Sequence, residues 1–187
     1  MADQRKLDKL FMNVAKQFAE LSTCRRLKVG AVITLNNRIV STGYNGTVPH
    51  FINCEEANKD LCVSEGELIS PETKYMISLE KREQDSKLHH IFNENFEIHA
   101  EMNAILDMAK RGLSPEGTTL YITICPCKNC AKLVATSGIK RIVYSKLYDR
   151  DVPCKDLCEH KDYYDEYNGA DLIKLMSPGT KIEKFEE

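Results

Sequence analysis

The spacing of apolar residues changes along the chain, and each change predicts an element. Leu7, Leu10, Phe11, Val14, Ala15 and Phe18 recur at three- and four-residue intervals, which predicts an amphipathic helix over residues 3–21. From Lys28 to Leu35 β-branched residues dominate, Asn36-Asn37 signals a turn, and residues 38–42 form a second strand-like run ending in Gly43-Tyr44-Asn45-Gly46. Between residues 47 and 96 the periodicity dissolves into charged clusters, with one helix expected over 71–86. So long a stretch is an insertion rather than an ordinary loop. Helical spacing returns over 99–111, with Ala104, Ile105, Met108 and Ala109 inward and Gly112 as the stop. A strand at 118–124, a helix at 127–137 closed by Gly138, a strand at 139–144 and a last strand at 171–176 complete the series. Residues 149–169 are charged and tyrosine-rich, and no element is assigned to them.

Strands alternating with helices predict an α/β layer fold. The 187 residues are expected to form a single domain, 1–187, with the insertion at 47–96 and a C-terminal extension at 150–187.

Charge and cysteine content narrow the function. The net charge is −2 and no long basic run occurs, so the Lys/Arg footprint of a long nucleic-acid binder is missing. The N-terminal stretch has no apolar core of the signal-peptide kind, and no run of about 18 apolar residues occurs. No membrane association is therefore expected. Eight cysteines in such a chain point to metal or thiol chemistry rather than disulfides, and to a cytoplasmic location (the host cytoplasm for a viral protein).

The chemistry concentrates in two short blocks, His99-Ala100-Glu101 and Pro126-Cys127-Lys128-Asn129-Cys130. Catalytic zinc takes three protein ligands and keeps one position open for water. His99, Cys127 and Cys130 meet that need. Cys127 and Cys130 lie one helical turn apart at a helix start, whose positive end favours thiolate. Glu101 is left over as a proton carrier for the activated water. A lone C-x-x-C would equally suit a redox pair or half of a zinc knuckle, but neither needs the His-Ala-Glu block. The combination H-x-E … P-C-x-x-C is the pattern of zinc-dependent nucleobase deaminases.

On these blocks the chain resembles the cytidine/deoxycytidylate deaminase superfamily, and within it the deoxycytidylate (dCMP) deaminases of the phage and viral type. The resemblance also rests on residues 28–33 (KVGAVI), 41–46 (STGYNG), 97–106 (EIHAEMNAIL), 126–132 (PCKNCAK), 137–140 (SGIK) and Tyr148, and runs from about residue 24 to 149. It implies a three-layer α/β/α cytidine deaminase-like fold with a mixed, about five-stranded sheet and a zinc-stabilised insertion. It implies hydrolysis of dCMP to dUMP with ammonia release, which feeds dTMP synthesis. Zinc would sit on His99, Cys127 and Cys130, and Glu101 would shuttle protons. Asn45 would lie near the sugar and Tyr148 near the nucleotide. The resemblance further implies a homohexamer activated by dCTP and inhibited by dTTP, with Mg accompanying either triphosphate. Gly43, Tyr44, Asn45, Gly46, Lys110 and Arg111 would then lie near the effector. Taken alone, Asn45-Gly46 is a turn signal and Tyr148 an ordinary aromatic.

A second, structural zinc is implied at Cys24, Cys54, His89 and Glu97, with His90 and Cys62 as rivals for places in the shell. Without the resemblance, Cys24 would be a small buried residue and His89 a surface one. Cys125 departs from the family, where Ser or Glu is commoner before the proline, and is expected to be a bystander to the metal. Cys154, Cys158 and His160 have poor spacing for a third site and read as part of a charged tail. Two other functions fit parts of the pattern. One is a dCTP or bifunctional dCMP/dCTP deaminase, which the motifs do not separate from a dCMP enzyme. The other is a non-catalytic zinc module that senses dNTPs, against which the intact Glu101 speaks.

Overall fold

The computed structural model describes residues 3–24, 26–61, 67–69, 76–78, 89, 91–147 and 168–186. In chain order the elements are α1 (Gln4–Ala19), β1 (Gly30–Leu35), β2 (Arg38–Tyr44), β3 (Gly46–Thr47), α2 (Cys54–Leu61), β4 (Glu67–Ile69) and β5 (Met76–Ser78). A helical turn over 91–96, α3, follows. Then come β6 (Glu97–Ile98), α4 (Ala100–Lys110), β7 (Thr119–Ile124), α5 (Lys128–Thr136), β8 (Arg141–Lys146), α6 (Gly169–Met176) and β9 (Lys181–Lys184). They divide into two compact units. The first comprises Met1–Ser22, Lys28–Asn45 and His99–Glu187; the second comprises Thr23–Leu27 and Gly46–Ile98.

The first unit is built on a five-stranded mixed sheet in the order β2-β1-β7-β8-β9. β1 runs antiparallel to β2 and β7, while β7, β8 and β9 run parallel. The β1–β2 hairpin closes through Asn36 and Asn37, both at positive φ (50° and 60°). Asparagine tolerates that region, and a turn of this hand matches the twist of the strands it joins. The two-residue period of the strands sorts the core onto two faces. Val32, Tyr121 and Val143 pack with Phe11, Met12 and Ala15 of α1. Ala31, Ile33, Leu120, Ile122 and Ile142 pack with Ala100, Ala104 and Met108 of α4, Ala131 and Val134 of α5, and Ile173 of α6. The result is the expected α/β/α arrangement, with the two motif-bearing helices on one face.

Three expected elements differ from those found. Residues 171–176 belong to helix α6, not to a strand, and the last strand is β9. The helix is set by a capping box: the Asn168 side chain accepts from the Asp171 N–H, and Asp171 accepts from the Asn168 N–H. Ala170 and Ile173, one turn apart, supply its buried face. The strand expected at 139–144 starts two residues later, at Arg141. Residues 76–78, placed in a helix by their surroundings, form β5 and pair antiparallel with β4. Pairing across a hairpin there satisfies the backbone groups that helical hydrogen bonds would otherwise take.

On the α1 side of the sheet, Arg141 ties three elements together. Its Nη1 and Nη2 donate to Asp8 Oδ1 and Oδ2, each at 2.7 Å, its Nε donates to Glu183 Oε1 at 2.6 Å, and Tyr121 Oη donates to Asp8 Oδ1 at 2.8 Å. Burial alone would raise the Asp8 carboxyl, but hydrogen bonds from Arg141, Gln4 and Tyr121 outweigh it and hold it below the usual carboxylate range. Glu183 is likewise lowered, with burial opposed by Lys181 and Arg141. Carboxylates whose pKa falls on folding stabilise the protein above their unfolded pKa, and that contribution is lost as pH drops through the folded value. Arg141→Met is therefore expected to lower the unfolding free energy near neutrality and to flatten its acid limb below about pH 4. Urea titrations of both proteins from neutral to acid pH check this, and parallel acid limbs would contradict it.

In the second unit, β3 pairs antiparallel with β6 and β4 with β5. Phe51 stacks on Phe96 at 4.9 Å between centroids, and Phe92 tilts against Phe96 at 5.4 Å. The Asn53 side chain accepts from Glu56 N–H at 2.9 Å, and Glu56 Oε2 accepts from Asn53 N–H at 3.1 Å, so a reciprocal cap opens α2. Among the described residues of both units, no helix is long and apolar enough to cross a membrane.

Candidate active site and metal-binding clusters

His99 and Cys127 occupy the N-cap positions of α4 and α5, and neither side chain caps its own helix. The side chains converge instead. Cys127 Sγ lies 3.5 Å and Cys130 Sγ 3.3 Å from His99 Nδ1, and all three donor atoms lie within 4.8 Å of one another. Zinc bonds of about 2.3 Å to sulfur and about 2.05 Å to nitrogen, at a tetrahedral angle, put the donors about 3.6 Å apart. The cluster therefore fits a zinc ion by spacing as well as by donor type.

Its electrostatics point the same way. The Cys127 thiol is lowered to about 4, first by its hydrogen bond with Cys130, against burial, and then by His99 and the Cys130 backbone N–H. Cys130 is pushed up by that same neighbour and by burial. Each thiol opposes ionisation of the other, so full ionisation of the pair calls for added positive charge. A divalent ion supplies it.

Glu101 sits in the first turn of α4 and is only 3% exposed. Burial raises its carboxyl above the usual range, His99 and the backbone N–H draw it down, and Cys127 pushes it up again. A bound cation would act in the lowering direction. The carboxyl hydrogen-bonds with Cys130, which puts it beside the donor cluster without being one of the three ligands.

Gly43 lets β2 approach this helix start. A Cβ there would meet the Ala100 carbonyl oxygen at 2.2 Å and the Ala104 nitrogen at 2.7 Å. Next to it, Asn103 Nδ2 donates to Tyr44 O at 2.8 Å. Asn45 is buried; its Oδ1 accepts from Val29 N–H at 2.8 Å, and its own N–H donates to Val29 O at 3.1 Å. The Asn45 amide is thus locked to the start of β1, a role that the turn reading of Asn45-Gly46 does not reveal. Sequence spacing could not find Asn103, because its partner lies 59 residues away. Lys110 is exposed at the other end of α4. Arg111 binds Asp107 Oδ2 at 2.6 Å and donates to the Val40 carbonyl. Tyr148, Cys62, His90, Cys154, Cys158 and His160 lie outside the described residues.

A second cluster lies within the second unit. Cys54 Sγ and Cys24 Sγ are 3.4 and 3.7 Å from His89 Nε2, and the three donors again lie within 4.8 Å of one another, all buried. Cys24 is lowered to about 3, chiefly by its hydrogen bond with Cys54, against burial, and by His89. Asn93 backs the cluster, with Nδ2 at 3.3 Å from His89 Nδ1 and 3.8 Å from Cys24 Sγ, while its Oδ1 is buried without a partner. Turning that carboxamide over lets Oδ1 accept a hydrogen bond from His89 Nδ1–H, which leaves Nε2 as the ligand nitrogen aimed at the sulfurs. Donor set and orphaned amide both suit a metal ion. Glu97, expected as the fourth ligand, is half-buried on β6, and its carboxylate is not among the donors drawn together.

A mixed sheet with a His/Cys/Cys cluster and a buried carboxylate at two helix starts defines a zinc-dependent deaminase fold. The sequence profile of the cytidine and deoxycytidylate deaminase zinc-binding region matches residues 5–146. The chain belongs to that family of hydrolytic deaminases. It is 38% identical to the deoxycytidylate deaminase of Enterobacteria phage T2 over 160 residues, 76% of this chain and 81% of the phage protein. The corresponding phage T4 enzyme is also 38% identical over 160 residues, with 76% and 79% covered. Among solved structures, the dCMP deaminase of cyanophage S-TIM5 in complex with dCMP and dUMP superposes with a TM-score of 0.62 at 26% identity, covering 98% of each chain.

Proposed function

We propose that this chain hydrolyses dCMP to dUMP and ammonia, in supply of dTMP synthesis. The observation that carries the proposal is the His99, Cys127, Cys130 cluster with the buried Glu101 carboxylate beside it. Zinc, when bound there, lowers the pKa of a coordinated water toward about 7 and so supplies a nucleophile at neutral pH. Glu101 would carry both protons of the attacking water in turn: the first to the ring nitrogen as oxygen bonds to C4 of the cytosine, the second from the new C4 hydroxyl to the amine, which leaves as ammonia when the C4–N bond breaks. Its burial excludes bulk water, which would compete for those protons. The Asn45 amide, fixed on Val29, faces the sugar, and Tyr148 contacts the nucleotide. Support for a nucleotide substrate comes from relatives named deoxycytidylate deaminase and from the cyanophage complex with dCMP and dUMP.

The Cys24, Cys54, His89 cluster holds a second, structural zinc, for which Glu97 is the fourth ligand after a side-chain rearrangement. The 43–46 loop with Lys110 and Arg111 receives dCTP as activator and dTTP as inhibitor, with Mg on the triphosphate, in a cytoplasmic homohexamer. Because Arg111 is already paired with Asp107, effector phosphate has to compete with that carboxylate.

Ammonia release from dCMP, dCTP, deoxycytidine and a cytosine-bearing oligonucleotide, with and without dCTP as effector, tests the substrate. Turnover of dCMP well above the other three is expected. Preference for dCTP transfers the assignment to the triphosphate, and failure on all four by zinc-loaded protein removes the deaminase function.

A further inference from the structure

Helix α6 begins against the loop that carries the two cysteines. A Cβ on Gly169 would lie 1.8 Å from the Pro126 carbonyl oxygen and 3.3 Å from that of Cys127, against 3.4 Å or more for ordinary contact. No side chain fits there without a shift of more than an ångström. Asn168 and Asp171 close the first turn reciprocally at 3.0 and 3.1 Å. Ala170 is buried, and its backbone N–H meets the Cys125 sulfur. Further on, the segment is tied to the sheet: Thr180 Oγ1 donates to Ile139 O at 3.0 Å, Lys181 N–H to Lys140 O at 2.9 Å and Phe185 N–H to Tyr144 O at 2.7 Å. Residues 168–185 are thus anchored along β8 behind and pressed on the 125–127 turn in front. The family profile ends at residue 146 and includes none of them.

We propose that this C-terminal segment is a positioning brace for the catalytic metal, acting through the close fit of Gly169 on the Pro126–Cys127 backbone. The inference rests on the assignment of His99, Cys127 and Cys130 as the zinc ligands. Cysteine has a single side-chain torsion before its sulfur, so the backbone direction at Cys127 sets where the thiolate can go. A ligand cage tolerates little displacement: zinc–donor distances vary by about 0.2 Å, and reacting groups displaced by about 1 Å lose up to a hundredfold in rate. The brace resists such movement from a direction that α5 itself does not cover, because Cys127 precedes the first helical residue.

Gly169→Ala tests this, with Gly179→Ala as control, since a Cβ at Gly179 meets nothing within 4 Å. Zinc release to a chromophoric chelator, the absorption of the cobalt-loaded protein, and kcat and KM are measured for each. In Gly169→Ala, the phase of zinc release that accompanies inactivation is expected to accelerate by about tenfold or more and kcat to fall by a similar factor. KM should stay within about twofold of the parent. The cobalt ligand-field bands should shift, and Gly179→Ala should match the parent in all readouts. Should Gly169→Ala fail to fold, Asn168→Ala carries the test by loosening the first turn. The same changes in weaker form, restored by Asn168→Ser, uphold the brace. A folded Gly169→Ala, or failing that a folded Asn168→Ala, with parental zinc release and cobalt spectrum overturns it. A parent that binds no zinc at the catalytic cluster instead defeats the zinc assignment, so the two failures are distinguishable.

Discussion

Glu101→Gln is expected to keep zinc bound and to lose at least about a thousandfold in kcat, the range that a positioned acid-base group contributes. Glutamine preserves the shape of a side chain that is only 3% exposed, so the α4 packing survives. It has no carboxylate to accept the proton from the attacking water, and no acid to return it to the leaving amine. His99, Cys127 and Cys130 are untouched, so metal content should equal that of the parent. The pair of measurements is steady-state ammonia release and zinc per chain. A Gln variant turning over within about tenfold of the parent would take Glu101 out of its assigned role.

Cys54→Ala is expected to have the largest effect on stability. It removes one of three buried donors in the second unit and leaves Cys24, whose thiol is lowered chiefly by its hydrogen bond with Cys54, without its partner. Metal binding of this kind is folding free energy. The variant should therefore drop from about two zinc ions per chain to about one and lose at least about 3 kcal/mol of unfolding free energy. Its catalytic ligands are chemically intact, so activity per remaining folded molecule should persist at low temperature. Metal analysis together with denaturant unfolding checks both halves. Fresh, fully active parent protein with a single zinc per chain would remove the second site.

The His99, Cys127 and Cys130 cluster with Glu101 beside it was legible in the sequence because its members fall in two short blocks. Two residues separate Cys127 from Cys130 and one separates His99 from Glu101, so each pair sits at the start of a single helix. The second cluster was not legible in that way. Cys24, Cys54 and His89 are scattered over 65 residues, and no local period links them; the family resemblance supplied the connection that the structure brings into contact. The helix at 171–176 was missed for a different reason. Its apolar run is short enough to suit a strand, and the deciding signal is the Asn168–Asp171 capping pair just ahead of it. Arg141 was silent in the sequence because its partners, Asp8 and Glu183, come from opposite ends of the chain.

By itself, the sequence determined which atoms are available to hold a metal and move a proton, and the alternation of strand and helix that carries them. Those properties depend on side-chain chemistry and on local periods of two and 3.6 residues. Only the tertiary structure decided which segments pack around the clustered donors. Gly43 against Ala100, Gly169 against Pro126, and Asn93 beside Cys24 are contacts between distant segments. Glycine is selected there by the space a neighbouring backbone leaves, a quantity that exists only once the chain has packed.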